Sequence, residues 1–267
     1  MNLNIIILAA GNGKRMHSSI PKVMHKVGGK TMLEHVLISA EKLNPISINV
    51  VINSRTEHIK SDFSKHKVNW YTQLEQKGTA DAVKTVLPDL KKDDHALILY
   101  ADTPLIDYQL LNKFINYMPQ SHVKVLTADL ENPFGYGRII REQAETEKIL
   151  RIVEESEADA KQKYITECNT GIVFSNVGIL EKLIAEVNNN NSKREYYLTD
   201  IVSVASQKNY VVAPLLAKES NSLLGVNDKS QLEKTEQIYQ NNYREKFLKQ
   251  GITMLDSKSV FFRGDIE

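Results

Sequence analysis

Short apolar runs alternate with stretches of helical periodicity through the first half of the chain, and few architectures accept that pattern. The runs at residues 4–9, 46–52, 68–72, 96–101 and 123–130 are rich in Val, Ile, Leu and Tyr, the composition of strands. Their apolar character is continuous, which suits strands covered on both faces. Between them Met32, Leu33, Val36, Leu37, Ala40 and Leu43 recur on one helix face, and residues 79–87 and 108–117 behave alike. Strand and helix in turn build βα units, so the expectation is an α/β fold: a mainly parallel twisted sheet flanked by helices.

After residue 132 the pattern changes. A turn at 133–137 (PFGYG) precedes short strand candidates at 138–141 and 149–153, read as a small β layer on the main sheet. Four asparagines at 188–191 have almost no burial potential and read as a surface loop. From Asp228 onward Leu232, Tyr239, Tyr243 and Phe247 fall on one helical stripe that stops at Gly251. The expected organisation is one domain over 1–227, a long helix over 228–250 and a terminal segment over 251–267.

Charge decides little at the level of the whole molecule. Thirty-four Lys and Arg against thirty-three Asp and Glu leave a formal charge of +1, so no global field draws the protein to nucleic acid or anionic lipid, and an anion must be met by a local site. The apolar stretch IIILAA at 5–10 lacks a preceding basic region, and no run reaches the roughly 18 apolar residues that cross a bilayer. One cysteine, Cys168, permits neither an intramolecular disulfide nor a zinc cluster. The expectation is a cytoplasmic protein with no nucleic-acid or membrane partner.

The local site suggests itself at the end of the first strand. In LAAGNGKRM at 8–16 a buried run breaks into a glycine-rich turn that can offer successive backbone N–H groups to a phosphate, with Lys14 and Arg15 beside them. Pro21 and Lys22 follow and add a cation near the same loop. A lysine-type phosphate loop needs GxxxxGK[ST], which is absent. A dinucleotide fingerprint needs a third glycine where Met16 stands and an acid near Asn53, where there is none. Taken alone, the loop is also compatible with an ordinary glycine turn, and lysines such as Lys22 are usually solvated. Asp102 follows the fourth apolar run, where ligands gather in α/β sheets, but it also suits a turn or N-cap. The seven histidines have no metal spacing; His17, His25 and His35 read as surface or packing residues, and Cys168 as a small buried hydrophobe.

LAAGxGxRM followed by PK resembles the signature of the sugar nucleotidyltransferase superfamily. Further segments keep the order of one subfamily: Gln73 with Gly78-Thr79, Tyr100-Ala-Asp102, Gly135-Tyr-Gly-Arg138, Ile152-Val-Glu154, Asn169-Thr-Gly171, Glu195-Tyr-Tyr-Leu-Thr-Asp200 and Gly225-Val-Asn227. Nearly the whole chain thus resembles the bacterial N-acetylglucosamine-1-phosphate uridylyltransferases, which are usually fused to an acetyltransferase.

The resemblance implies a Rossmann-like, GT-A-like nucleotidyltransferase fold. It implies that Leu8, Ala9, Ala10, Gly11, Lys22, Gln73, Gly78, Thr79, Tyr100, Ala101 and Asp102 bind nucleotide, with Gln73 and the Gly78-Thr79 turn on uracil. Arg15 and Lys22 would act on the triphosphate. Gly137, Glu154, Asn169, Tyr197 and Asn227 would contact the amino sugar, and Asp102 and Asn227 would hold Mg²⁺, whose preference is for oxygen ligands. The implied partners are UTP, N-acetylglucosamine 1-phosphate and UDP-N-acetylglucosamine. Structural readings stand beside these roles: Asn169 can belong to a strand bulge, Glu154 to a set of solvated acids with Glu155 and Glu157, and Tyr196-Tyr197 to core aromatics on a helix.

Two departures are visible. Ala101 stands where the subfamily often has glycine, adding a methyl beside the nucleotide. The chain ends near residue 267, about where the acetyltransferase β-helix begins in the family, and no hexapeptide repeats are present. Acetyl transfer is not expected of these residues, and the family's trimer only if that β-helix is present. Two other functions remain compatible with the sequence: transfer to another sugar 1-phosphate or from thymidine nucleotides, and a sugar-nucleotide-binding module without catalysis.

Overall fold

The computed structural model describes residues 1–142, 148–218 and 221–264. The first strand, β1 (Leu3–Leu8), is buried along its whole length. A small hairpin, β2 (Lys26–Val27) and β3 (Lys30–Thr31), leads into α1 (Met32–Glu41), capped by the Thr31 hydroxyl accepting from the Glu34 N–H at 3.1 Å. There follow β4 (Ser47–Asn53), β5 (Asn69–Gln73), α2 (Thr79–Lys84), β6 (His95–Tyr100), α3 (Tyr108–Asn116) and β7 (Val123–Asp129). The apolar runs read from the sequence are these strands, shifted by one residue at most ends. Helix α2 stops short of the expected residue 87, because Pro88 supplies no N–H and turns the chain into a 3-10 segment over Leu87–Asp89.

Next come β8 (Arg138–Arg141) and β9 (Ile149–Val153), the expected hairpin layer, then β10 (Glu167–Asn176), α4 (Val177–Ile184), α5 (Asp200–Gln207), β11 (Val212–Ala217) and α6 (Lys229–Lys249). Among the described residues nine strands form one sheet: seven in the order β11, β7, β10, β6, β1, β4, β5, with β8 attached to β10 and β9 to β8. The pairs β1 with β4, β1 with β6, β4 with β5 and β11 with β7 are parallel, whereas β10 runs antiparallel to both β6 and β7. Two apolar clusters, one with Ile5, Ile7, Leu37, Val50 and Leu99, the other with Ile6, Val51, Val83, Ile98 and Leu180, cover opposite faces. The α/β class and the parallel character of the central strands are as the apolar runs require.

Strand β10 carries a register shift between Asn169 and Val173, the bulge anticipated at 169–171. Gly171 has φ +85°, and a Cβ there would come within 2.6 Å of the Tyr100 ring, so the bulge brings backbone against an aromatic that faces the cleft. Helix α6 is capped by Asp228 accepting from the Gln231 N–H at 2.8 Å. Its Tyr239 packs in a cluster with Val27, Met32 and Val226. The segment after α6 turns at Gly251 and returns along the helix, where Phe262 lies against Tyr243 and Phe247 and the Gly264 N–H donates to Gly28 O at 2.7 Å. Residues 265–267 of the terminal segment lie outside the described residues. No helix of the described residues is long and apolar enough to cross a membrane.

Candidate functional site

Parallel strands all end on the same side of a sheet, and the loops that leave them there meet. Leu8 pairs with Tyr100 and Val51 in register, so the loop after β1, the Tyr100-Ala101-Asp102 turn after β6 and the Asn53 turn after β4 emerge together. They enclose a cleft of ≈ 430 Å³. Leu8, Ala9, Ala10, Gly11, Lys22, Gln73, Gly78, Thr79, Tyr100 and Asp102 all line it; Ala101 is fully buried and supports the wall from behind.

Local bonds fix the wall. Asn53 Nδ2 donates to Ala10 O at 2.9 Å and Gln76 Nε2 to the same carbonyl at 2.5 Å, which anchors the glycine loop. Gly78 sits at φ +121°, and a Cβ there would strike the Tyr196 backbone. That close approach lets the Ala80 N–H donate to Tyr196 O at 2.9 Å, the Tyr196 N–H to Lys77 O at 2.7 Å and the Leu198 N–H to the Thr79 hydroxyl at 2.9 Å. Residues 196–197 are therefore an extended clasp over the start of α2, not part of a helix as the alternative reading had it.

Lys22 and Arg15 part company in space. The Lys22 ammonium reaches Asp102 Oδ2 in a close ion pair and donates to Asn227 Oδ1 at 2.8 Å. Asn227 is held for this by its own N–H, which donates to Gln231 Oε1 at 2.7 Å, while Asp228 next to it caps α6. Arg15 stands exposed on the 3-10 turn Lys14–Met16, outside the residues that line the cleft, and Lys14 lines it instead. Among the described residues no group of three or more His, Cys, Asp or Glu side chains is placed to hold a metal ion. Asp102 and Asn227 supply one carboxylate and one amide oxygen, and the Lys22 ammonium between them is a cation standing where a cation fits. Such a sparse oxygen pair suits Mg²⁺ carried in with phosphates and waters, and does not suit zinc.

The other predicted residues converge on the neighbouring side. The Asn169 N–H donates to Gly137 O at 2.8 Å, and a Cβ on Gly137 would lie 3.7 Å from both Asn169 Cβ and Glu154 Oε1. Glu154 accepts from the Thr199 hydroxyl at 2.8 Å; burial raises its carboxyl pKa above the usual range, and the Thr199 bond pulls it partly back. Glu155 does the opposite job: it accepts from the fully buried Arg138 at 2.7 Å and from the Gly135 N–H at 3.1 Å. Residue type and spacing offered no means of choosing between these two acids; the family resemblance alone pointed to Glu154. Tyr197 is buried, its hydroxyl pKa pushed up to about 12 chiefly by burial, and it lines with Glu154 and Asp200 a second cleft of ≈ 750 Å³.

Sequence reasoning did not single out Thr199, Gln76 or Asp81. Thr199 and Gln76 act through contacts between segments far apart in the chain, for which a single sequence carries no signal; Lys14 was read with Arg15 as a cation beside the phosphate loop, and of the two Lys14 lines the cleft.

Asp200, the first residue of α5, has its carboxyl pushed up to about 6, first by burial and then by Glu154 and Glu157. The folded state thus holds a proton that the unfolded chain, with an ordinary aspartate near 3.8, has released. Stability therefore falls as pH rises from about 4 to about 6. Asp200→Asn is expected to flatten that part of the profile, read as urea midpoints from pH 4 to 7; an unchanged slope would remove Asp200 as its source.

Comparison with known proteins follows the same outline. The MobA-like NTP transferase domain family matches residues 5–168. Among solved structures the chain is similar to a UDP-glucose pyrophosphorylase complexed with UDP-glucose, with TM-score 0.69 and 16% identity over 91% of this chain and 100% of that one. It is similar to a putative glucose-1-phosphate thymidylyltransferase from Bacillus anthracis, with TM-score 0.66 and 17% identity over 96% and 98%. It is also similar to an inositol-1-phosphate CTP transferase from T. maritima, with TM-score 0.66 and 14% identity over 88% and 95%. At these identities the likeness is one of fold.

Proposed function

Because the chain belongs to the MobA-like NTP transferase domain family, we propose that it transfers UMP from UTP to N-acetyl-α-D-glucosamine 1-phosphate, giving UDP-N-acetylglucosamine and pyrophosphate. The observation that carries the reading is the meeting of two groups of residues at one end of the sheet. Tyr100 lines the cleft with Gly11, Gln73 and Thr79, and its ring lies against Gly171 in the bulge that carries Asn169, which sits beside Gly137 and Glu154. A nucleotide in the first and a sugar in the second would bring two phosphates together near Lys22. The sugar nucleotide and sugar phosphate named for the similar structures are of the same chemical kind.

The chemistry asks little of side chains as bases. A sugar phosphate is already ionised, so one of its oxygens attacks the α-phosphorus of UTP directly; the bond from that phosphorus to the bridging oxygen breaks, and pyrophosphate leaves with the electron pair. The described residues that line the cleft include no histidine or cysteine, in keeping with a reaction that needs none. Backbone N–H groups of the loop at 10–13 and the ammonium groups of Lys14 and Lys22 would hold the triphosphate and balance charge on pyrophosphate. When bound, Mg²⁺ at Asp102 and Asn227 would neutralise charge on the reacting phosphates. Glu154, Asn169 and the Gly137 backbone would orient the sugar through its hydroxyls.

The test is pyrophosphate release measured for four NTPs against several sugar 1-phosphates. UTP with N-acetylglucosamine 1-phosphate is expected to give the highest kcat/KM. A clear preference for another pair transfers the reading to a different sugar-1-phosphate nucleotidyltransferase; tight sugar-nucleotide binding with no release in any pair makes the chain a binding module.

A further inference from the structure

Gln73 ends β5 inside the nucleotide cleft, and its amide is held in one orientation. Nε2 donates to Gly78 O at 3.0 Å and to Asp81 Oδ2 at 2.8 Å. Both partners are acceptors only, and an amide NH₂ has two hydrogens to give. Turning the amide over would set Oε1 against a carbonyl and a carboxylate at once. Gln73 lines the cleft, whereas Asp81, in the first turn of α2, does not. With both Nε2 hydrogens engaged, Oε1 is the polar atom that Gln73 offers to a ligand.

We infer that Asp81 is a positioning residue that sets the choice of nucleobase: by holding Gln73 Nε2 it presents Oε1 as an acceptor and selects a pyrimidine with an N–H at ring position 3. This rests on the reading of the cleft as a nucleotide site given above. Uracil and thymine carry that N–H. Cytosine carries a lone pair there, and two acceptors would face each other in a partly desolvated cleft, where an unmatched polar group is costly. Asp81 also has an ordinary explanation, as an acid in the first turn of a helix. That explanation foresees a small loss of stability on substitution and no change in base preference, so base preference separates the two.

The experiment is calorimetric binding of UTP, CTP and N3-methyl-UTP to the full chain and to two variants. The unaltered protein is expected to bind UTP at least tenfold more tightly than CTP or N3-methyl-UTP, since the methyl group deletes the one donor in question. In Asp81→Ala the amide is free to turn and the UTP-to-CTP ratio is expected to fall at least tenfold. Asp81→Asn keeps an acceptor and is expected to retain most of the preference. Equal binding of UTP and N3-methyl-UTP, or an undiminished ratio in Asp81→Ala, overturns the inference. Should Asp81→Ala fail to fold, Asp81→Leu, which also removes the acceptor while filling the space, is expected to show the same fall, and an undiminished UTP-to-CTP ratio there overturns the inference. Because binding is read without turnover, absence of pyrophosphate release would count against the transferase reading only.

Discussion

Asp102→Ala is expected to lower pyrophosphate release about a thousandfold. Charge neutralisation by a metal in a phosphoryl-transfer site contributes several kcal/mol to the transition state, and each ~1.4 kcal/mol is a factor of ten. Asp102 is the carboxylate in the pair of oxygens that fit such an ion, and the Asn227 amide beside it carries no charge to replace it. The fold is expected to survive. In the variant the Lys22 ammonium keeps its bond to Asn227 Oδ1 and borders an open cleft, so it is not stranded in an apolar interior. The loss of stability is expected to stay below about 2 kcal/mol. Steady-state pyrophosphate release beside urea unfolding measures both numbers; near-normal turnover would mean that Asp102 holds no metal.

Glu155→Ala is expected to give the opposite result, a large loss of stability. Arg138 is the largest fully buried side chain, at 1% exposure, and Glu155 is its only carboxylate partner among the described bonds and ion pairs. Removing one member of such a pair leaves an uncompensated charge in the interior and costs about 3–5 kcal/mol. For a chain of this size that is on the order of 10 °C in Tm. Glu154→Gln, one residue earlier, keeps an acceptor for the Thr199 hydroxyl and removes a carboxyl that burial already disfavours in its charged form. Its Tm is expected to change by under about 2 °C while KM for the sugar phosphate rises at least tenfold. Differential scanning calorimetry beside steady-state kinetics on both variants reads the contrast; equal Tm losses would refute the division of labour between the two acids.

That pair of neighbours marks the limit of what a sequence discloses here. The central strands were legible because burial on both faces demands uninterrupted apolar residues, and Ile5, Ile6, Ile7 and Leu97, Ile98, Leu99 meet that demand. The glycine loop was legible because a backbone that must approach a ligand excludes side chains. Glu154 and Glu155 have the same chemistry and adjacent numbers, and only the alternation of a strand end decides that one turns to Thr199 and the other to Arg138. Arg15 and Lys14 differ in the same way: a 3-10 turn, which the sequence does not specify, leaves the arginine outside the cleft lining and includes the lysine. Strand β10 escaped as a whole element, because its middle residues Asn169, Thr170 and Gly171 break the apolar run to make the bulge.

The position of β10 also governs the order in which the molecule can assemble. Strands β1, β4, β5 and β6, with most of the residues that line the nucleotide cleft, lie within residues 3–102, so their parallel pairs can close before the later strands are made. Strand β7 has no partner in that half. Its partners are β10 and β11, and of these β10 connects it to β6, pairing Asn176 with His95 on one side and Ser175 with Val123 on the other. A nascent chain therefore carries β7 unlinked to that half until residue 176 has left the ribosome, and the other edge of β7 stays open until β11 follows.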